Sequence, residues 1–365
     1  MTSYTSSSLT LRAVLKEAAG RLGLGVPSGR VTGLTAPAKA MFAAASASRS
    51  ATVVVVPSDA DVETLTSDAR FFLAALEGLT DAEVERSVLP FPSHEVDPYR
   101  GLAPHFDIAS TRARALHALA ARRARLVVAS AAALLPRVSA PDRFVEAART
   151  LAPGQEVSPV DLGDMLAAAG YTRQDPVDES GEFCVRGGVV DFYPAGAPQP
   201  LRLEFIGDTI ESIRAYDPAT QRSTAALDQA AIVPLQELIG GREEDEPDRT
   251  ATIQDFFRSS GRPVLLLSEP DEIRAHGLKA AQQIQTSYEE AVAKATRAQP
   301  PEQLVVGWNA VEEWLHGATA LETLEIGGGE ELPGRHVACQ PSLEFSGRIA
   351  EWVAEIRRAR ELGDT

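Results

Sequence analysis

The sequence predicts an α/β protein that carries a second, smaller sheet in its middle. Two observations lead there. First, compact apolar runs (Thr52-Val-Val-Val-Val56, Leu126-Val-Val-Ala-Ser130, Val264-Leu-Leu-Leu267) alternate with segments of helix length. Continuous runs of this kind mark strands buried on both faces of a parallel sheet. Second, residues 181–223 alternate apolar and polar side chains with a period of two. They are punctuated by Gly187-Gly188, by the Pro194-to-Pro198 stretch and by Gly207-Asp208, the pattern of short antiparallel strands.

Residues 9–24 are expected to form the first helix, 31–34 a strand end and 39–47 an alanine-rich helix. The 52–56 strand stops at Pro57 and leads into a helix through Phe71, Phe72 and Leu73. A strand at 87–90, a helix at 110–121 and the 126–130 strand continue the alternation. Strands alternating with helices imply right-handed βαβ connections. The character changes near Pro141. Helices are expected at 144–151 and 160–169, the second stopped by Gly170. The β-rich stretch follows, with an exit strand at 231–234 and an acidic, turn-rich loop at 240–247.

The α/β pattern then returns. A strand at 264–267 is followed by a helix start at 268–272, a strand at 304–306 and a helix at 311–315. After a Gly327-Gly-Gly329 loop, a final amphipathic helix at 347–362 places Ile349, Trp352, Val353 and Ile356 on one face. The divisions expected are 1–138 and 232–365, forming one α/β module, with 139–231 inserted between them. The inserted part is α+β, with an antiparallel sheet.

The chain has 365 residues, 44% hydrophobic and 24% charged, the composition of a globular protein. No run of eighteen apolar residues is present, and the first residues lack the pattern of a secretory signal. Cys184 and Cys339 lie far apart, outside any zinc spacing. A reducing, cytoplasmic location is expected. The net charge of −16 argues against this chain gripping a phosphate backbone by itself. Arg112, Arg114, Arg122, Arg123 and Arg125 are read as a solvated helix face.

Other chemistry is thinly represented. The histidines show no i,i+4 pair for a metal, no carboxylate pair can be placed across a cleft, and no G-x-S-x-G is present. Trp308, Trp314 and Trp352 are read as packing residues.

One stretch has the spacing of a P-loop: Gly33-Leu-Thr-Ala-Pro-Ala38-Lys39-Ala40. A working P-loop wraps phosphates in backbone N–H groups, neutralises them with Lys and holds Mg²⁺ through a Ser/Thr hydroxyl. Here Lys39 survives, but the second glycine is Ala38 and the hydroxyl residue is Ala40. Pro37 also removes an N–H from the loop. By itself the stretch also reads as an ordinary strand-to-helix connection. No convincing Walker B element is found, although Asp191 and Glu204 sit in strands.

The motifs VRGGVVDFYP (185–194) and RLEFIGDTIESIRAYDPATQRS (202–223) resemble the interaction domain shared by the excision-repair protein UvrB and the transcription-repair coupling factors (Mfd). Further similar segments are Val31 to Thr35, Leu89 to Pro92, Val127 to Ala131, Leu134 to Arg137 and Gln340 to Ile349. The family resemblance of these segments implies that the outer module is a degenerate RecA-like, P-loop-type fold without a nucleotide or metal of its own. The missing P-loop chemistry and the short stretch from Phe91 to His105, where UvrB has an aromatic hairpin, favour the N-terminal module of the coupling factors.

That resemblance implies recruitment of UvrA, with Arg186, Arg202 and Ile206 as contacts. Ile206 stands where the family pattern has an aromatic. Both arginines are read as surface cations whose loss leaves the fold intact. Against that family the chain is either part of a longer protein, the expectation here, or a naturally truncated relative. An ATP- and Mg-dependent motor, RNA polymerase and double-stranded DNA would belong to the remainder. The alternatives are a UvrB-like ATP-dependent damage-recognition subunit and a plain α/β scaffold.

Overall fold

A computed structural model describes residues 10–27, 29–239, 248–259, 261, 263–294, 298–323, 334–339 and 349–362. The expected loops at 240–247 and 327–329 and the similar segment from Gln340 up to Arg348 lie outside the described residues.

The first part contains α1 (Leu11–Arg21), β1 (Arg30–Thr32), α2 (Ala36–Ala47), β2 (Thr52–Val56), α3 (Asp59–Glu77) and α4 (Asp81–Ser87). It continues through β3 (Val88–Phe91), α5 (Phe106–Ala120), β4 (Leu126–Ser130) and the short β5 (Arg137–Val138). The middle part contains α6 (Pro141–Ala147), β6 (Arg149–Leu151), α7 (Pro159–Ala168), β7 (Thr172–Arg173), β8 (Glu182–Arg186) and β9 (Val189–Phe192). It closes with β10 (Leu201–Ile206), β11 (Thr209–Asp217), β12 (Arg222–Ala226) and β13 (Ala230–Ile232). The last part contains β14 (Ala251–Thr252), α8 (Ile253–Ser259), β15 (Val264–Ser268), α9 (Pro270–Ala293) and α10 (Pro301–Leu304). It ends with α11 (Trp308–Leu315), β16 (Thr319–Leu321), β17 (Gly334–His336) and α12 (Ile349–Leu362).

Among the described residues, seven strands form a parallel sheet in the order β17-β1-β16-β15-β2-β4-β3. The apolar runs behave as predicted. Val54, Val56 and Val128 face α1, α2 and α3, while Val53, Val55 and Val127 face α5, α8, α9 and α11. Strands from the first and last parts thus share one sheet, and the middle part is inserted between them. A second, six-stranded sheet has the order β12-β11-β10-β9-β8-β7 and packs on α7 around Leu162, Leu166, Phe183, Phe192 and Leu203. Strands β8 to β12 are antiparallel as predicted, but β7 runs parallel to β8. The fold class is the α/β class read from the sequence.

Local signals place most helix ends. Ser58 and Asp61 form a capping box at α3, as do Thr80 and Glu83 at α4. Gly170 follows α7 at a left-handed φ of 95°.

Several expectations are corrected. The helix expected at 144–151 ends at Ala147, because residues 149–151 leave it to pair antiparallel with β13. No strand forms at 304–306: Pro301 starts the short α10, and Val305 makes only an isolated bridge to Pro136. Trp308 is buried and Trp314 stacks on Phe257, but Trp352 is 51% exposed, with Ile349 and Ile356 exposed beside it on α12.

The arginine cluster on α5 is not a uniformly solvated face. Arg112 is fully buried and donates through Nε to Glu237, 2.6 Å away. Its guanidinium also stacks on Phe91. Burial alone would raise the Glu237 pKa, but Arg112 and His94 outweigh it and hold the carboxyl below its ordinary value. Removing one partner of such a pair strands a buried charge. Glu237→Ala should therefore lose about 3–5 kcal/mol in urea denaturation. The paired change Arg112→Met with Glu237→Met should lose much less.

His117 is buried on α5, and its Nε2 accepts from Arg123, 3.2 Å away, which requires a neutral ring. Burial, with the Arg123 charge adding to it, pulls its pKa down to about 4. The unfolded imidazole titrates near 6.5 and takes up its proton first. The stabilisation is therefore full above about pH 6.5 and is lost as pH falls towards about 4, to a total on the order of 3 kcal/mol. In His117→Gln, denaturation at pH 7 and pH 4 should show that much less difference in stability than in the parent.

Candidate partner-binding face and the P-loop position

The six-stranded sheet buries one face on α7 and turns the other outward. Alternation sets the outward rows: Cys184, Asp191, Arg202 and Arg214 lie side by side across four strands, and Arg186, Val189, Glu204 and Ser212 form the next row. The sequence places Arg186 and Arg202 on one face, and the register does so too, two strands apart.

Their environments differ. Arg202 grips Asp191 with both tines of its fork, Nε to Oδ1 at 2.7 Å and Nη2 to Oδ2 at 2.8 Å. It also donates to Gln221 and stacks over Tyr216. Asp191 is only 3% exposed. The hydrogen bond to Asp191 raises the Arg202 pKa further, and burial, with Asp191 adding to it, pushes up the Tyr216 phenol. Arg186 is open instead. Its Nε donates to Cys184 Sγ at 3.4 Å. Its ion-pair partner is Asp175 at 2.7 Å, and the two side chains are 48% and 57% exposed. Such a pair contributes little and exchanges readily. Neither arginine forms an ion pair with its strand neighbours Glu182 and Glu204. Glu204 faces Ser212 and, at 3.8 Å, Arg214.

Ile206 is 66% exposed at the end of β10, where Gly207-Asp208 turns the chain into β11. The Gly187-Gly188 turn lies beside it, since Phe205 donates to the Gly188 carbonyl at 2.8 Å. Arg186 and Ile206 therefore share one end of the sheet, and Arg202 lies nearer its middle.

The second region holding predicted residues is the loop after β1. Gly33 has a φ of 79°, and a Cβ there would lie 2.3 Å from the Val337 carbonyl oxygen. Glycine is needed at this position for close backbone packing. Helix α2 begins at Ala36 with Pro37 in its first turn, and the Lys39 N–H bonds to Thr35. Lys39 is buried; its ammonium binds the Glu269 carboxylate and lies 3.3 Å from Ser268 Oγ. Glu269 also accepts from the Thr323 N–H at 2.8 Å and from its hydroxyl at 2.7 Å. Burial would raise the Glu269 pKa, but these donors, led by Lys39, hold it below its ordinary value.

A P-loop site holds Mg²⁺ between a loop Ser/Thr and a Walker-B Asp. Here the loop residue after Lys39 is Ala40, the side chain facing Lys39 is Ser268, and Lys39 already has a carboxylate. These residues do not fit ATP·Mg²⁺. Sequence reasoning missed Ser268-Glu269, because the apolar run before it ends in Ser where an Asp would have marked it.

A cavity of about 1010 Å³ lies beside the loop that follows β3, bounded by Tyr99, Arg137, Glu237, Arg249 and Ile284. That loop is pinned along its length: Ser93 to Asp59, His94 to Glu237, Asp97 to Ser287, and the Tyr99 hydroxyl to the Gln299 carbonyl.

The sequence profile of the UvrB interaction domain matches residues 150–238, which span the whole six-stranded sheet and α7. The chain carries a UvrB interaction domain. About half of it is similar to transcription-repair-coupling factors. The protein of that name from Myxococcus xanthus is 34% identical over 192 residues, 52% of this chain and 16% of the relative. The Escherichia coli K12 protein is 31% identical over 179 residues, 49% of this chain and 15% of the relative. The Mycobacterium bovis protein is 36% identical over 155 residues, 40% of this chain and 12% of the relative. The matched part is thus a small share, 12–16%, of these relatives' own length.

The two arginines of the interaction domain should respond differently to charge reversal. Arg202→Glu leaves Asp191 buried beside a like charge and should cost about 3–5 kcal/mol of stability. Arg186→Glu should stay within about 0.5 kcal/mol. Chemical denaturation of the two single variants measures both.

Proposed function

We propose that this chain is a recruitment module that binds UvrA through the outward face of its interaction domain, as part of a transcription-repair coupling factor. The observation that carries this reading is the pairing of an exchangeable arginine, Arg186, with an exposed apolar residue, Ile206, at one end of that domain's sheet. Arg and exposed apolar groups together are what docking surfaces concentrate. Arg186 can leave Asp175 for a carboxylate of the partner at little cost, and its forked donor then fixes orientation. Arg202 supports the face from within: its fork is filled by Asp191, so it contributes its remaining edge.

In the longer protein, the module would bring the excision machinery to RNA polymerase stalled at damaged DNA. The ATP-driven movement along double-stranded DNA would be performed by parts outside this chain. The UvrB-like enzymatic reading needs nucleotide at Lys39, and the side chains around Lys39 speak against it. The pinned loop after β3 likewise leaves no free arm to insert into DNA.

Calorimetry with purified UvrA tests the proposal. Arg186→Glu combined with Ile206→Asp should weaken binding by on the order of tenfold or more, with the circular dichroism spectrum unchanged. Parental affinity in that folded variant would reject the assignment of this face.

A further inference from the structure

The Lys39 cluster carries an inference of its own, independent of the partner-binding face. In a P-loop the lysine is there to neutralise a phosphate oxyanion. Here three kinds of donor converge on one carboxylate: the Lys39 ammonium, the Thr323 N–H and the Thr323 hydroxyl, with Ser268 Oγ beside them. An ammonium, a backbone N–H and a hydroxyl around one anion form the donor set of a phosphate site. Glu269 reaches it from an uncommon backbone conformation, φ 59° and ψ 74°, at the junction of β15 and α9. A non-glycine residue in the left-handed region is strained and persists where surrounding contacts hold it. Its backbone is held by the N–H bond to the Leu321 carbonyl at 3.1 Å and by the Ile273 N–H at 3.0 Å, and its carboxylate by Lys39 and Thr323.

We propose that Glu269 is an internal substitute for phosphate: its carboxylate fills, within the same chain, an oxyanion site that Lys39, Thr323 and Ser268 still form. Removing the carboxylate vacates the site for a small phosphate-type oxyanion. Keeping it makes the module indifferent to phosphate and nucleotide. No catalytic chemistry is implied, since Ala40 and Ser268 supply no Mg²⁺ ligand pair.

Glu269→Gly is the informative variant, because glycine adopts φ 59° without strain and takes the carboxylate away. Inorganic pyrophosphate is the probe, measured by calorimetry and thermal unfolding in chloride buffer at constant ionic strength. Glu269→Gly should bind pyrophosphate at least about tenfold more tightly than the parent, with a rise in unfolding temperature that the parent lacks. Adding Lys39→Met to Glu269→Gly should abolish both effects.

If Glu269→Gly is poorly folded in chloride, pyrophosphate should restore its folded fraction. Equal binding by parent and variant, no gain in the variant, or an effect that survives loss of Lys39 would overturn the proposal.

Discussion

The buried carboxylate of Glu237 is the constraint on which the arrangement of this molecule depends. It sits where the chain returns from the interaction domain to the α/β module. Arg112 of α5 and His94 of the loop after β3 both hold it. The backbone around it closes the same junction: Ser139 N–H bonds to the Glu237 carbonyl at 3.1 Å, and Ile239 N–H to Ser139 Oγ at 2.8 Å. Entry to and exit from the inserted domain are thereby held side by side. An ion pair this dry loses hydration on both sides, so its net contribution to stability is small compared with the cost of breaking it. What it supplies is position, because neither partner can move without stranding a charge. A second contact sets the same relation: Gly181, at φ 89°, lets Phe106 of α5 pack so closely that a Cβ there would lie 2.3 Å from the ring.

The same distinction between position and exchange separates the two arginines of the interaction domain. Both lie on the outward face, and both satisfy a carboxylate. Asp191 is buried, so the Arg202 fork is fixed. Asp175 is exposed, so water competes for it continually and Arg186 stays available. In a chain of net charge −16, an available guanidinium beside an exposed Ile206 is a local exception to the surface around it. Affinity for an acidic partner depends on such exceptions more than on overall charge, because screening limits long-range attraction to about 8 Å at physiological salt.

Much of this was legible in the sequence, and the reasons are physical. The runs at 52–56, 126–130 and 264–267 are unambiguous because a strand buried on both faces tolerates only apolar side chains. The period of two at 201–206 fixed the outward face, and with it the shared placement of Arg186 and Arg202. Most of the misses are long-range. Nothing local distinguishes Arg112 from Arg122 or Arg123; a carboxylate 125 residues away does. Residues 149–151 look helical until their partners at 230–232 are known. Asp191 was noticed as an acidic strand residue, but its role as the occupant of the Arg202 fork follows from register, which the motif alone does not carry. Ser268-Glu269 escaped because Ser268 carries no carboxylate that would have marked the end of the apolar run.

On the proposed reading, the Lys39–Glu269 pair bears on how this module keeps a docking surface in place. A fold whose lysine waits for a ligand gains stability in proportion to RT ln(1 + [L]/Kd), so its stability follows the ligand's concentration. A fold whose lysine is met by its own carboxylate has that interaction at all times. The cost is the desolvation of two charges, partly offset by the extra donors from Thr323. A module built this way would keep the same shape whether nucleotide is bound or hydrolysed elsewhere in a larger protein. The rigid parallel sheet then supports the inserted domain from below, and the Glu237 junction holds that domain's sheet in one orientation. On the proposed reading, a lysine met by its own carboxylate and a constant docking geometry go together, because neither waits for a ligand.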